Sequence, residues 1–261
     1  MNIDAHYTEE AKNHGDSPLS TMPEQLVREL ETKVILDTMR SITRLGRWKG
    51  KTFLDYGCGN GYTLSLIGQE FPELSRYGYE PNGDMLRLAS KHAIMLPSLS
   101  KDQIDILLCQ RCLINLSGWN EQAEILCKLH DALVPGGFIL LLECWESGIA
   151  RLNVAREQLG LSPIKPAAWN IYLPNEPFDT LMAKLGLQEN PSVHDLGCDM
   201  GLFGCNRHFL STHRFVSRVL YPAITRTDLT PGALVVQFLT NALPATTGYG
   251  RIEARLFRKQ K

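Results

Sequence analysis

Thr52-Phe53-Leu54-Asp55-Tyr56-Gly57-Cys58-Gly59-Asn60-Gly61, followed by the second short run Tyr77-Gly78-Tyr79-Glu80, is the stretch on which the fold turns. An apolar run that breaks straight into a glycine turn, with Tyr62 to Glu70 behind it, reads as strand, tight turn and helix. Glycines at such a turn let the backbone approach a ligand closely, and the N-terminus of the helix behind them favours an anionic group. Glu80, at the tip of the second strand, is placed to hydrogen-bond a ribose diol. A nicotinamide dinucleotide turn would read G-x-G-x-x-G. Here the third glycine, Gly61, comes one position early and the required site holds Tyr62, so a diphosphate is not the favoured ligand.

Outward from this unit, strand and helix patterns alternate. Upstream, Ser20-Thr21-Met22-Pro23-Glu24 carries the cap, proline and acid of a helix start. Apolar residues then recur at helical spacing from Leu26 to Ile42 and on to about Leu45. Downstream, Gly83 to Ala93 is a helix and Ile104 to Cys109 a strand without alternation, as expected of one buried on both faces. Glu121 to Leu133 is a helix stopped at Pro135-Gly136-Gly137, and Phe138 to Glu143 is another buried strand. Helical pieces at Ile149 to Leu159 and Phe178 to Leu185 flank a loop rich in Pro and Trp. Arg251 to Phe257 alternates apolar with charged residues, which predicts an antiparallel edge strand with one face in water. The fold class is α/β: a Rossmann-like, doubly wound, mostly parallel sheet with an antiparallel closing strand and a helical cap. The expected organisation is an N-terminal arm and helix (1–50), a core (51–143), a cap forming the acceptor site (144–215) and closing strands (216–261).

Only 24 residues separate Glu80 from Asp105, where a doubly wound chain needs a helix, a strand and another helix. Each crossover takes at least ~10–12 residues, so the third strand is either cut to about Ala93 to Leu96 or absent.

The 261 residues hold 27 basic and 28 acidic side chains, a net charge of -1, which argues against binding nucleic acid by phosphate neutralisation. With 44% hydrophobic and 21% charged residues there is material for a proper core. The longest apolar stretch, Phe138 to Leu142, falls far short of the ~20 residues that cross a bilayer, and Met1 to Glu10 is too charged for a secretory signal. Seven scattered cysteines fit reduced thiols, so a cytoplasmic enzyme is expected.

The D-x-G-C-G-x-G turn at Asp55 to Gly61 with its later acid resembles the first motif of the class I methyltransferases that use S-adenosylmethionine (SAM). Leu133-Val134-Pro135-Gly136-Gly137-Phe138 looks like their L-x-P-G-G turn before the fifth strand. Asp105 to Cys109 followed by Arg111-Cys112-Leu113-Ile114-Asn115-Leu116 resembles the fourth strand and the loop over the cofactor. The resemblance implies SAM as cofactor, with Gly57, Cys58, Gly59 and Gly61 against its methionine part and Asp55 reaching its ammonium through the turn. Glu80 would hold the ribose, with Pro81 beside it, and Cys109, Gln110 and Arg111 would lie near the sulfonium. The family places an acid or amide after the third strand to read adenine; the candidates there are Ser98, Ser100, Lys101 and Asp102. Less specific stretches, among them Ser20-Thr21-Met22, Glu143-Cys144-Trp145, Trp169-Asn170, Arg218 to Pro222 and Gly248-Tyr249-Gly250, are similar to a bacterial subgroup acting on small molecules of carbohydrate or secondary-metabolite type.

A hydroxyl or ammonium acceptor needs a general base within hydrogen-bond reach. Candidates are Glu143, just past a strand's carboxyl end where α/β sheets bind ligands, His208, His213 and Glu146. Cys109-x-x-Cys112 has metal spacing without a second pair nearby, Cys198 and Cys205 having six residues between them, so small apolar cysteines and no metal are the better reading. Trp145, Trp169 and Tyr172 either line an acceptor pocket or form the cap's own core. The basic terminus from Arg251 to Lys261 reads as a solvated strand face. A small-molecule acceptor is the expected partner, with neither nucleic acid nor membrane, as monomer or homodimer. The rival readings are a methyltransferase-like binding or scaffold protein without turnover and, more distantly, a nicotinamide oxidoreductase.

Overall fold

Three apolar runs, Phe53–Tyr56, Ile106–Cys109 and Phe138–Cys144, are buried side by side in the middle of a sheet. The computed structural model describes residues 3–44, 50–189, 207–227 and 232–261; Cys198 and Cys205 lie outside them. The strands are β1 (Thr52–Tyr56), β2 (Ser75–Tyr79), β3 (Ile94–Met95), β4 (Ile104–Gln110), β5 (Leu133–Cys144), β6 (Leu187–Glu189) and β7 (Ile252–Lys259). They form one seven-stranded sheet in the order β3-β2-β1-β4-β5-β7-β6. The first five are parallel, and β7 runs antiparallel to both β5 and β6.

Alternate residues of the central strands face opposite layers. Phe53, Ile106, Leu108, Phe138, Leu140 and Leu142 join one core, covered by helices α2 (Gln25–Thr43) and α3 (Tyr62–Glu70) through Val34, Ile35, Met39, Leu64 and Ile67. Leu54, Leu107, Cys109, Ile139 and Leu141 join the other. That face is covered by α5 (Trp119–Ala132) with Leu126 and Leu129, and by α7 (Asn175–Lys184) with Phe178 and Met182. Each such side chain, fully buried, contributes about 1.5–3 kcal/mol of transfer free energy. The remaining helices are α1 (Ile3–His14), α4 (Gly83–Ala89), α6 (Glu146–Gln158), α8 (Ser211–Phe215), α9 (Tyr221–Thr225) and α10 (Ala233–Ala242), with a π-helical stretch, Val216–Leu220, joining α8 to α9.

Several expectations are corrected. The third strand exists as two residues, and the helix that would follow it is missing, Leu96 leading to β4 through a loop. The polar start of the arm carries a helix that its pattern did not mark, α1. At α2 the capping position is Glu24, not Ser20 or Thr21, and it makes no side-chain cap bond. Among its described residues the segment 216–261 holds helices at its two apolar runs and a single strand; runs this short have no period that tells a helix from a strand. The second closing strand, β6, comes from within 144–215. β7 is not an edge: it lies between β5 and β6 with both faces buried. Its alternating charges are paired rather than solvated. Arg255, 3% exposed, meets Asp179 at 2.7 Å and also Glu189, and Glu253 takes Arg207 at 2.8 Å. Among the described residues no helix is long and apolar enough to cross a membrane.

Candidate functional site

The carboxyl ends of β1, β2 and β4 open on one edge of the sheet, and the glycine turn fills the crevice between them. Gly57 N and Cys58 N both donate to Tyr79 O, at 2.8 and 3.1 Å, tying the turn to the tip of β2. Gly57, Gly59 and Gly61 all have positive φ, +74°, +55° and +80°. Their surroundings separate their roles. A Cβ on Gly57 would lie 2.5 Å from Cys112 Sγ and one on Gly61 2.7 Å from Ala89 Cα, so both glycines allow close packing. A Cβ on Gly59 would meet only Thr21 Cγ2, at 3.6 Å; it faces open space.

That space is a cavity of about 260 Å³ bounded by Asp55, Gly59, Glu80, Gln110 and Arg111, with α1 over it. Glu80 is buried and accepts from Gly59 N (Oε2, 2.8 Å) and Asn82 N (Oε1, 2.9 Å). Burial pushes its carboxyl up, against the pull of those two N–H groups. Two bonds leave free lone pairs on a group able to accept about four. Asp55 is 2% exposed, and its Oδ1 has no hydrogen-bond partner among the described residues. Burial raises its pKa to about 7, against the attraction of Arg28. An orphaned carboxylate oxygen at a cavity wall suits a cationic ligand group.

Helix α1 closes this cavity with Ile3, Asp4 and Tyr7. Asn82 latches it: Nδ2 donates to Asp4 Oδ1 at 2.7 Å and to Thr8 Oγ1 at 3.1 Å, while its Oδ1 accepts from Asp84 N and Met85 N and caps α4. Asn115 Nδ2 donates to Tyr7 Oη at 2.8 Å. Burial lifts the Tyr7 phenol to about 12, so it keeps its proton. On the opposite wall Arg111, at φ +52°, is held by Glu31 at 3.1 Å and donates to Thr21 O at 2.6 Å. Glu31 also accepts from Gln110 Nε2 at 2.8 Å.

A second cavity, of about 330 Å³, adjoins the first. Both are lined by Tyr7, Thr21, Arg111 and Asn115, which stand at the boundary between them. Beyond that boundary the second cavity is lined by His6, Glu10 and His14 of α1. Trp169, Asn170 and Arg251 line it as well, the Trp169 ring 5.9 Å from that of His6.

Of the residues expected from the sequence, Asp55, Gly57, Cys58, Gly59, Glu80, Pro81, Gln110 and Arg111 line the first cavity together. Gly61 packs behind the turn and Cys109 beneath it, its Sγ 3.4 Å from Glu143. Glu143 is a correction. It is fully buried, lines neither cavity, and its Oε1 accepts from Cys112 N and Leu113 N at 2.8 and 3.0 Å. It fixes the turn after β4 from below, and burial raises it to about 7 despite those N–H groups. His208 lines neither cavity either and lies 3.7 Å from Glu253. His213 is buried, with burial and then Arg214 pulling its pKa to about 4, and Glu146 opens α6 in solvent. Ser98, Ser100, Lys101 and Asp102 do not reach the first cavity; Asp102 pairs with Lys259 at 3.2 Å. No cluster of potential metal ligands occurs among the described residues.

Sequence reasoning passed over Asp4, Tyr7, Arg28, Glu31 and Asn82, and named Asn115 only within the loop over the cofactor. Arg28 and Glu31 did leave a trace, two charges set three apart on the buried stripe of α2. Asp4 and Tyr7 left none, because α1 is polar with only Ala11 buried.

Residues 28–188 match the family model described as "Methyltransferase domain". No curated protein matches the chain. Among solved structures, the chain is similar to magnesium protoporphyrin IX methyltransferase from Synechocystis PCC 6803 with bound SAM, at 9% identity and a TM-score of 0.56, covering 99% of this chain and 95% of that one. The same enzyme with bound SAH gives 12% identity and a TM-score of 0.54 over 92% of this chain and 88% of that one. The plantazolicin methyltransferase BpumL, in complex with a pentazolic desmethylPZN analog and SAH, gives 13% identity and a TM-score of 0.50 over 99% and 98%. At these identities the likeness concerns the fold.

Proposed function

The chain belongs to the methyltransferase domain family, and on that premise we propose that it transfers a methyl group from SAM, held in the first cavity, to a small organic acceptor held in the second. The observation that carries this reading is the shared lining: Tyr7, Thr21, Arg111 and Asn115 belong to both cavities, and in this reading they form the neck at which donor and acceptor meet.

The residues of the first cavity fit SAM. The partnerless Asp55 Oδ1 suits its ammonium, the open face of Gly59 gives its methionine part room, and the free lone pairs of Glu80 suit a ribose diol. Asp4 is the third carboxylate on the cavity wall, and in this reading it takes the part of the acid the family carries after the third strand. SAM supplies a methyl already activated by positive sulfur. What the protein adds is alignment of acceptor with methyl and exclusion of water, and such positioning is worth roughly 7–11 kcal/mol at its best. Gln110 and Arg111 are locked for that task by their bonds to Glu31, and the protonated Tyr7 stays a hydrogen-bond donor at the neck. A general base for a hydroxyl or ammonium acceptor is sought among His6, Glu10 and His14, which line the second cavity, rather than Glu143 or His208, which do not. The arm (1–50) and the cap (144–215) thereby become the two sides of the acceptor site, as Trp169 and Asn170 opposite α1 support.

Calorimetric titration with S-adenosylhomocysteine (SAH) tests the donor half of the reading. One-to-one binding is expected, and no heat at high concentration would sink it. Labelled methyl transfer from SAM across a panel of small hydroxyl and amine compounds tests the other half. SAH binding without any labelled product would favour a binding protein without turnover.

A further inference from the structure

Several guanidiniums around this end of the sheet have carboxylate partners. Glu31 holds Arg111 at 3.1 Å and lies 3.8 Å from Arg28, Glu24 holds Arg214 at 2.8 Å and Arg218 at 3.3 Å, and Glu253 holds Arg207 at 2.8 Å. Arg251 has none within ion-pair distance among the described residues. It lines the second cavity, and among the described residues its side chain has one polar partner, the Tyr172 hydroxyl, to which Nη1 donates at 3.2 Å, and no carboxylate. The acids that share the cavity are engaged elsewhere, Glu24 by two arginines and Glu10 with His14 at 3.7 Å. The Glu24 charge reaches Arg251 without touching it, so an anion in the cavity would supply the direct ion pair that this guanidinium does not make among the described residues.

From this we infer that the acceptor carries a carboxylate, and that Arg251 binds it. This rests on the reading of the second cavity as the acceptor site. One fork of parallel N–H groups matches the two oxygens of one carboxylate, whereas a phosphate dianion calls for a second free cation. The other guanidinium lining the cavity, Arg111, already faces Glu31 at 3.1 Å and donates to Thr21 O at 2.6 Å. Arg251 does not line the first cavity, so it stands beyond the neck. The carboxylate is therefore the anchor, and the rest of the molecule, against Trp169, Met22 and Ile114, points its nucleophile toward Tyr7 and Asn115. A space of about 330 Å³ fits an acid of one or two rings, not a polymer.

The test is a binding titration of the full chain, with and without saturating SAH, using salicylate, anthranilate and 4-hydroxybenzoate, their carboxamides, and phenyl phosphate. The acids are expected to bind about tenfold or more tightly than the amides, the range set by charge-assisted hydrogen bonds. Arg251→Gln should erase that preference while leaving SAH affinity unchanged. Arg251→Lys, which keeps the charge but loses the fork, should retain only part of it. Equal binding of acids and amides, tighter binding of phenyl phosphate, no binding of any acid, or an acid preference that survives Arg251→Gln would overturn the inference. Loss of SAH binding in the unaltered protein is a separate result, which overturns the donor reading while the acid-against-amide comparison is still read without SAH.

Discussion

Gly57 and Gly59 sit two residues apart at similar φ, yet substitutions there should fail for different reasons. A side chain on Gly57 drives into Cys112, whereas one on Gly59 meets only the edge of Thr21 and projects into the cavity. Gly57→Ala is therefore expected to lower the melting temperature markedly. Gly59→Ala should cost about 1–2 kcal/mol of backbone strain and leave the fold intact, and Gly59→Val should abolish SAH binding in a protein that still melts cooperatively. Unchanged SAH affinity in Gly59→Val would show that the turn is not the site. Asp4→Ala loses a carboxylate on the cavity wall and one partner of the Asn82 latch. A several-fold weaker SAH affinity is expected, about 0.5–1.5 kcal/mol for one hydrogen bond, with little change in melting temperature. A large loss of stability would instead make Asp4 a fold residue.

At the scale of elements, the turn from β4 into the 3-10 turn Leu113–Asn115 hangs on Glu143, since its Oε1 takes the N–H groups of both Cys112 and Leu113. Glu143→Ala leaves two N–H groups without their acceptor, at about 1–3 kcal/mol for each that stays buried and unsatisfied. Glu143→Gln keeps a carbonyl oxygen for both and should retain methyl transfer, where a general base would not survive the change. The variant also isolates a pH effect. Glu143 titrates at about 7 when folded, against 4.5 for the unperturbed carboxyl, because burial disfavours its charge. The folded state then holds the proton more tightly, so this contribution is fully present below pH 4.5 and is lost as pH rises through 7. Asp55 acts with the same sign. His213 opposes them, its folded pKa of about 4 removing stability as pH falls from 6.5. The informative curve is thus the difference in melting temperature between wild type and Glu143→Gln. It should slope between pH 4.5 and 7 and be flat outside.

On the scale of the whole molecule, α1 belongs to the site rather than to the core. It buries only Ala11, and polar bonds from Asn82 and Asn115 hold it over the cavity. Removing residues 1–16 should leave the sheet and its two cores folded, shown by a cooperative melt close to that of the full chain. SAH affinity should fall by at least an order of magnitude, because the lid and the neck residue Tyr7 are gone; full affinity in the truncated chain would remove α1 from the site.

The unit from β1 through the glycine turn and α3 to Glu80 was determined by the sequence alone. A strand, a turn that needs positive φ and a helix are each specified within a few residues, and α3 spans Tyr62–Glu70 as its pattern predicts. The brief β3 was likewise legible as a shortage of chain between Glu80 and Asp105. The tertiary structure decided the rest. It brought Asp4 to Asn82 and Tyr7 to Asn115 across 78 and 108 residues, sent Glu143 beneath the loop instead of into the cavity, and buried the charges of β7 against Asp179 and Glu189. Local propensity carries no information about which distant partner a polar side chain will meet. Whether a charge is solvated, paired or left facing a cavity, as Arg251 is, depends on packing among elements far apart in the chain.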